Sequence, residues 1–197
     1  SIYRGVFKLL PGTYLEVSLD DARRGPGADP REPLPSRVYW SFRDTVRSAA
    51  GGRFAGTDHE AADELERLLR LSIGRQMVAD VPLGAFLSGG VDSSTVVALM
   101  QAQSSTPIRT FTIGFREDAY DEAVHARAVA RHLGTDHTEL YVTPAEAMSV
   151  VPDLPALYDE PFADPSQIPT HLVSRMARSH VTVSLSGDAG DELFGGY

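Results

Sequence analysis

The sequence predicts an α/β fold built on a doubly wound, mostly parallel sheet, and two features of the chain support this prediction. From residue 79 onward, short apolar runs alternate with helical patterns, which is the order expected when each strand is followed by a crossover helix. Glycine-rich segments follow two of these runs, at residues 88–90 and 187–190. In open α/β sheets, ligands bind beyond the carboxyl ends of the strands, where such segments lie.

Composition narrows the function classes before any motif is considered. The 197 residues carry 27 acidic and 18 basic side chains, for a formal net charge of −9. An acidic surface repels a phosphate backbone, which argues against a nucleic-acid partner. No apolar run approaches the roughly 18 residues of a membrane span, so no membrane segment is expected. Because cysteine is absent, we expect no disulfide, and we predict a cytoplasmic protein.

Three segments follow one another along the chain. Residues 1–19 contain two β-like runs around a Pro-Gly turn signal at Pro11. Residues 20–57 begin with linker composition, rich in proline and glycine, and re-enter structure near Trp40. Residues 58–197 carry the alternating pattern. The chain starts at Ser1 and stops after a pair of glycines, so we expect a piece of a longer protein.

Each element of the main segment has its own signal. Residues 57–60 have the spacing of a capping box, and Leu65, Leu69 and Ile73 continue the helix with one apolar face. Gly134 is a helix stop signal. The predicted strands of this segment are 81–87, 108–115, 137–142 and 181–186. Its other predicted helices are 93–102, 121–133, 144–160 with proline interruptions, and 166–179.

The loop after the first of these strands has the composition of an anion site. Its sequence over residues 87–94 is LSGGVDSS. The glycines let backbone amides approach a ligand, while Ser93 and Ser94 are expected to cap a helix whose N-terminus attracts phosphate. Asp92 would repel a bare phosphate, so it fits best as a ligand of magnesium that the phosphates share. The alternative is an ordinary glycine-rich turn; it is not a Walker A loop, which requires a lysine.

The segment after the last predicted strand is rich in acids. Residues 186–197 read SGDAGDELFGGY, with Asp188, Asp191 and Glu192 close together. Such carboxylates repel one another unless a cation or hydrogen bonds offset them. An acidic surface loop is the alternative, but both loops are expected at the carboxyl edge of one sheet, which favours a shared magnesium site.

These motifs resemble a known family. Residues 87–94 are similar to the pyrophosphate-binding loop of ATP pyrophosphatases, and residues 159–175 and 186–197 resemble glutamine-dependent asparagine synthetases. Residues 4–16 resemble the end of that family's glutaminase domain, and Val38 to Trp40 its entry into the synthetase domain. The family commonly has glycine, or Gly-Ser, at Ala189-Gly190, so alanine would restrict the backbone if this position needs a positive φ.

The resemblance implies an activity and its partners. ATP adenylates the side-chain carboxylate of aspartate, and ammonia from a glutaminase domain of the same protein gives asparagine, AMP and pyrophosphate. ATP and Mg²⁺ are the implied cofactors, and a homodimer is compatible with the family. The implied ATP and pyrophosphate ligands are Leu87, Ser88, Gly89, Gly90, Asp92, Ser93, Ser94, Ile113, Ser186 and Gly187. The implied magnesium ligands are Asp92 and Asp191, the implied catalytic residues Asp188 and Asp92, and the implied aspartate pocket Asp159, Asp164 and Ser166.

Other functions stay open at this stage. An amide ligase acting on another carboxylate would keep both motifs, and a non-catalytic nucleotide-binding module would keep the fold. The family also uses a lysine beyond residue 197, so we expect the chain alone to be inactive. The histidines show no metal-ligand spacing, and we expect them at surface or capping positions. They are His125, His132, His137, His171 and His180.

Overall fold

The structure is a computed structural model that describes residues 1–24, 35–52, 54–115 and 122–195. It divides into two compact units, Ser1–Thr57 and Asp58–Tyr197. Within the described residues, none of the helices combines the length and the hydropathy that crossing a membrane requires.

The first unit is built around a short antiparallel ribbon. Its elements are β1 (Thr13–Tyr14), α1 (Leu19–Arg24), β2 (Arg37–Val38) and α2 (Phe42–Ala49). The two β-like runs expected on either side of Pro11 do not pair with each other in the described residues. Instead β1 pairs with β2, and the carbonyl of Gly12 accepts hydrogen bonds from the amides of Tyr39 and Trp40. The pairing partner of β1 therefore lies beyond the linker, where local turn chemistry could not indicate it.

The second unit is built on a four-stranded parallel sheet. Its strands are β3 (Leu83–Phe86), β4 (Arg109–Phe115), β5 (Asp136–Val142) and β6 (Val183–Leu185). Their order across the sheet is β5-β4-β3-β6, and every neighbouring pair is parallel. Parallel strands need crossover connections, which helices supply here. The predicted fold class is confirmed.

Helices cover both faces of this sheet. They are α3 (Asp58–Gln76), α4 (Val91–Gln101), α5 (Ala123–Leu133), α6 (Pro144–Ser149), α7 (Leu154–Tyr158), α8 (Gln167–Arg178) and α9 (Gly190–Phe194), with a 3-10 turn at Val151–Asp153. One core joins α3, α4 and α5 to Ala85 and Leu87. A second core packs Phe111 against Val173 and Ala177 of α8, on the opposite face. Successive strand residues point to opposite faces, and this alternation produces the two cores.

Where a helix was predicted, its boundaries agree with the structure to within two residues, but α1, α2 and α9 were not predicted. Helix α5 ends at Gly134, whose φ of 72° is the left-handed conformation that stops a helix. The region 144–160 is broken into short helices, as its prolines indicate. Helix α4 begins at Val91, two residues before its predicted start, and helix α5 begins at Ala123, two residues after its own.

Candidate active site

The strand order creates a cleft at the carboxyl edge of the sheet. The chain leaves β3 toward β4 and β5 on one side, whereas β6 lies on the other side of β3. The loops that follow β3 and β6 therefore flank a switch point, the usual ligand site of open α/β sheets. A cleft of about 880 Å³ opens there. Its lining comprises Phe86, Ser88, Gly90, Val91, Asp92, Ser93, Ile113, Asp164, Ser166, Pro169, Thr170, Val173, Ser186, Gly187, Asp188, Ala189, Gly190, Asp191 and Glu192.

Two serine hydroxyl groups hold the loop after β3 in a tight turn. The Oγ of the buried Ser93 accepts a hydrogen bond from the amide of Ser88 at 3.2 Å and lies 2.9 Å from the Ser88 Oγ. Gly89 has a φ of 85°, and a Cβ there would lie 2.6 Å from the amide nitrogen of Ala126. Only glycine fits this position, because both the backbone conformation and the space exclude a side chain.

The N-terminus of α4 faces the cleft with no side chain capping it. Gly90 is the N-cap residue, so no side chain at that position accepts a hydrogen bond from the first-turn amides. The prediction that Ser93 and Ser94 cap this helix is therefore wrong. Ser93 already lies in the first turn, and its hydroxyl reaches back to Ser88 and to the Gly90 carbonyl. First-turn amides have no partner within the helix, which makes this end suitable for an anion.

The loop after β6 lies directly against the first turn of α4. A Cβ at Gly187 would lie 2.7 Å from the Ser93 amide nitrogen. Ala189 has a φ of 75°, the left-handed conformation that alanine rarely adopts. Position 189 therefore does have a positive φ, which is the case in which the sequence predicted that alanine would restrict the backbone. The hydroxyl of Ser186 donates to the Asp188 carboxylate at 2.9 Å and orients it beside the cleft.

The charge of the cleft is negative. Five of its lining side chains are carboxylates, and none of the described residues that line it is a lysine or an arginine. They are Asp92, Asp164, Asp188, Asp191 and Glu192. Their oxygens are the ligands that magnesium prefers. The described residues contain no cluster of three such groups in metal-binding geometry. A magnesium ion in this cleft would therefore have to complete its coordination with water or ligand oxygens.

The segment that leads into α8 and the first part of that helix form another part of the cleft lining. Asp164 accepts a hydrogen bond from the Ser166 amide at 2.8 Å, and hydrogen bonds from Ser166 hold the pKa of the Asp164 carboxyl below its usual value. Asp159 does not line the cleft; it has a φ of 59° and ends α7. Of the three residues expected in the aspartate pocket, two therefore reach the cleft.

Three other predicted site residues also lie outside the lining. The Leu87 side chain is only 1% exposed and packs in the core, while its amide donates to the Phe111 carbonyl. Gly89 turns away toward α5. The Ser94 Oγ is buried and lacks a partner within the described part of the chain. The sequence in turn did not indicate the α8 contributions of Pro169, Thr170 and Val173, which depend on how the helix packs.

A charged cluster on β5 and α5 is separate from the cleft lining. Arg127 donates to both carboxylate oxygens of Glu139 and, at 3.0 Å, to the Tyr141 hydroxyl. This pairing lowers the pKa of Glu139. His137 Nδ1 lies 2.9 Å from Thr110 Oγ1, and burial lowers the His137 pKa. The expectation of a surface or capping position is wrong for His137, whose strand position directs the ring inward.

The parallel sheet with helices on both faces places the chain among the doubly wound α/β proteins. Residues 64–197 match the family model described as asparagine synthase. The chain belongs to the asparagine synthase family.

Curated relatives agree with this assignment. The chain is 37% identical to a putative glutamine-hydrolyzing asparagine synthetase 2 of Methanocaldococcus jannaschii, over all of the chain and 35% of that protein. It is 40% identical to asparagine synthetase 1 of Bacillus subtilis, over 64% of the chain and 20% of that protein. The chain thus spans about a third or less of these relatives. Among solved structures, NMN synthetase from Francisella tularensis matches with a TM-score of 0.47 and 15% identity, over 72% of this chain and 59% of that one.

Proposed function

We propose that this chain is the ATP-binding part of an asparagine synthetase. In the proposed reaction, the side-chain carboxylate of aspartate attacks the α-phosphorus of ATP and pyrophosphate leaves. Ammonia derived from glutamine then attacks the acyl carbon, AMP leaves, and asparagine forms. The observation that carries the proposal is the meeting of the two motif loops in one cleft at the switch point of the sheet.

The first loop and α4 would bind the phosphates. The first-turn amides of α4 and the exposed Ser88 hydroxyl face the position where the leaving pyrophosphate would lie. These dipoles are already oriented, because Ser93 and Gly89 fix the turn that carries them. Preorganised donors of this kind stabilise charge that develops on a leaving group. Ile113 and Gly187, which also line the cleft, are proposed to contact the nucleotide.

The second loop would act at the carboxylate that reacts. Asp188 is proposed to accept the proton that the attacking ammonia loses, since Ser186 orients its carboxylate beside the cleft. Magnesium held by Asp92 and Asp191 would neutralise phosphate charge in a cleft whose own side chains are acidic. Asp164 and Ser166 are proposed to bind the amino-acid substrate.

The test is an assay of the full-length protein with ATP, Mg²⁺ and aspartate, using either glutamine or ammonium as the nitrogen source. AMP, pyrophosphate and asparagine are measured together, with Asp92→Asn as the variant and Val78→Ala, an exposed position outside the cleft, as its matched control. We expect equal amounts of the three products from the wild type and the control. The Asp92→Asn variant should lose most of this activity, because one proposed magnesium ligand becomes neutral.

Two other outcomes would change the proposal. AMP formation with a different carboxylate, but not with aspartate, would assign the chain to an amide ligase of another substrate. A folded protein that binds ATP but forms no AMP with any carboxylate would support a non-catalytic nucleotide-binding module.

A further inference from the structure

The loop after β3 lies directly against the first turn of α5. A Cβ placed on Gly89 would lie 2.6 Å from the amide nitrogen of Ala126, 2.8 Å from the carbonyl carbon of His125 and 2.7 Å from the His125 Cβ. Two of these atoms belong to the helix backbone and the third is attached to it, so no side-chain rotation changes these contacts. The position of α5 against the sheet therefore contributes to the shape of the loop.

An ion pair connects this part of α5 to β5. Arg127, the residue after Ala126, donates to both carboxylate oxygens of Glu139 and, at 3.0 Å, to the Tyr141 hydroxyl. Glu139 and Tyr141 are two positions apart on β5 and point to the same face of the sheet. The Glu139 side chain is only 17% exposed, so salt screens this pair less than it screens a pair on the open surface.

The core contacts of this half of α5 are less directional than the ion pair. Ala123 and Ala126 are fully buried, but their methyl groups are short and make only van der Waals contacts. The N-cap residue Glu122 makes no side-chain hydrogen bond to the helix. A bidentate pair between arginine and a carboxylate, in contrast, adds geometric specificity. The pair of Arg127 with Glu139 therefore restricts a sliding or rotation of α5 that the alanine contacts permit.

We propose that Arg127 and Glu139 are positioning residues that hold the first turn of α5 against the loop after β3. They act through the backbone of His125 and Ala126 on Gly89. Neither side chain is part of the described cleft lining, so neither needs to contact the ligand. This inference rests on the proposed role of that loop in binding the pyrophosphate portion of ATP.

The test compares a nucleotide that reaches the loop with one that does not, in the full-length protein. Calorimetry measures the affinities for ATP with Mg²⁺ and for AMP, and their ratio gives the contribution of the β- and γ-phosphates. The variants are Arg127→Met, Glu139→Gln and the double variant. The matched control is Arg67→Met, because Arg67 forms an equivalent two-bond pair with Glu64, at 2.7 Å, within α3. Melting temperatures establish that each variant is measured below its thermal transition.

We expect Arg127→Met to lower the ratio of ATP affinity to AMP affinity at least fivefold and to change AMP affinity less than twofold. Glu139→Gln should also lower the ratio, because an amide offers only one oxygen to the guanidinium group. The double variant should be no worse than Arg127→Met, since both substitutions remove the same contact. Arg67→Met should leave the ratio unchanged. A purely structural role would lower the melting temperature of the variants without changing this ratio.

The proposal is overturned if Arg127→Met keeps the wild-type ratio, if the affinities for ATP and AMP fall together, or if the effects of the two substitutions add. If Arg127→Met does not fold, Glu139→Gln decides: a lowered ratio supports the proposal, and a wild-type ratio overturns it. Failure of the proposed function is seen separately, as absence of aspartate-dependent AMP formation by a wild-type protein whose affinity ratio still responds to Arg127→Met.

Discussion

The substitution Leu87→Ala distinguishes a core residue from a nucleotide ligand. The sequence motif assigns Leu87 to the nucleotide, whereas its side chain is 1% exposed and belongs to the core that joins α3, α4 and α5 to the sheet. Shortening a fully buried leucine to alanine removes its transfer free energy and leaves a cavity, at a cost of about 2–5 kcal/mol. For a domain of this size, each kcal/mol lowers the melting temperature by roughly 2–4 °C.

The expected result is a melting temperature lower by roughly 4–20 °C, with ATP affinity changed less than threefold where the protein is folded. Circular dichroism follows the thermal transition, and calorimetry below that transition gives the affinity. Val78→Ala is the matched control, because Val78 is 85% exposed and its truncation should leave the melting temperature nearly unchanged. A tenfold loss of ATP affinity with an unchanged melting temperature would refute the reasoning and restore the ligand role.

Three further predictions concern charge and backbone. Since Arg127 lowers the pKa of Glu139 in the folded state, the pairing stabilises the fold above the unfolded-state pKa of about 4.5 and is lost as the pH falls. The melting-temperature difference between wild type and Glu139→Gln should therefore shrink from pH 6 to pH 3; a constant difference would contradict it. The lowered pKa of His137 means that protonation favours unfolding below about pH 6.5. His137→Gln should thus weaken the fall in melting temperature between pH 7 and pH 5, and an unaltered fall would count against a buried ring. Ala189→Gly should raise the melting temperature by about 1–3 °C and Ala189→Val should lower it, because a β-branched residue tolerates a positive φ least; the opposite order would contradict the left-handed conformation.

The sequence could predict the sheet because each strand carries its own local signal. Residues 109–115 are rich in β-branched and aromatic side chains, and residues 123–133 form a helical pattern that is followed by a glycine. Such signals depend only on a few neighbouring residues, so they indicate the same local structure in the sequence and in the folded chain. The pairing of β1 with β2 carries no such signal, since 22 residues separate Tyr14 from Arg37.

The meeting of the two motif loops at one edge of the sheet was predictable for a different reason. Parallel strands present their carboxyl ends at one edge, so motifs after β3 and β6 had to meet if both strands belonged to one sheet. The start of α4 was not predictable in the same way. A serine near the start of a helix can either cap the helix or form a hydrogen bond with the preceding loop. Which of these Ser93 does depends on the position of Ser88 in the folded chain.

Helix α9 was not predicted because its sequence contains two opposing signals. Gly190 is a weak helix former, which favoured a loop, yet Asp191 and Glu192 in the first turn are stabilising at a helix N-terminus. The helix also requires the left-handed Ala189 before it, and alanine gives no local sign of that conformation. The contact of Gly190 with Asp92 is a tertiary one and carries no local signal.

The charges of the cleft lead to one physical consequence for any phosphate ligand. The α4 N-terminus supplies about half of a positive elementary charge, whereas the lining contains five carboxylates. Within the described residues of the lining, no lysine or arginine compensates for them. A nucleotide could therefore approach only if cations enter with it or if residues from outside the described lining contribute positive charge. The affinity for ATP should accordingly depend steeply on the divalent cation, and this dependence should weaken when Asp92 or Asp191 is made neutral.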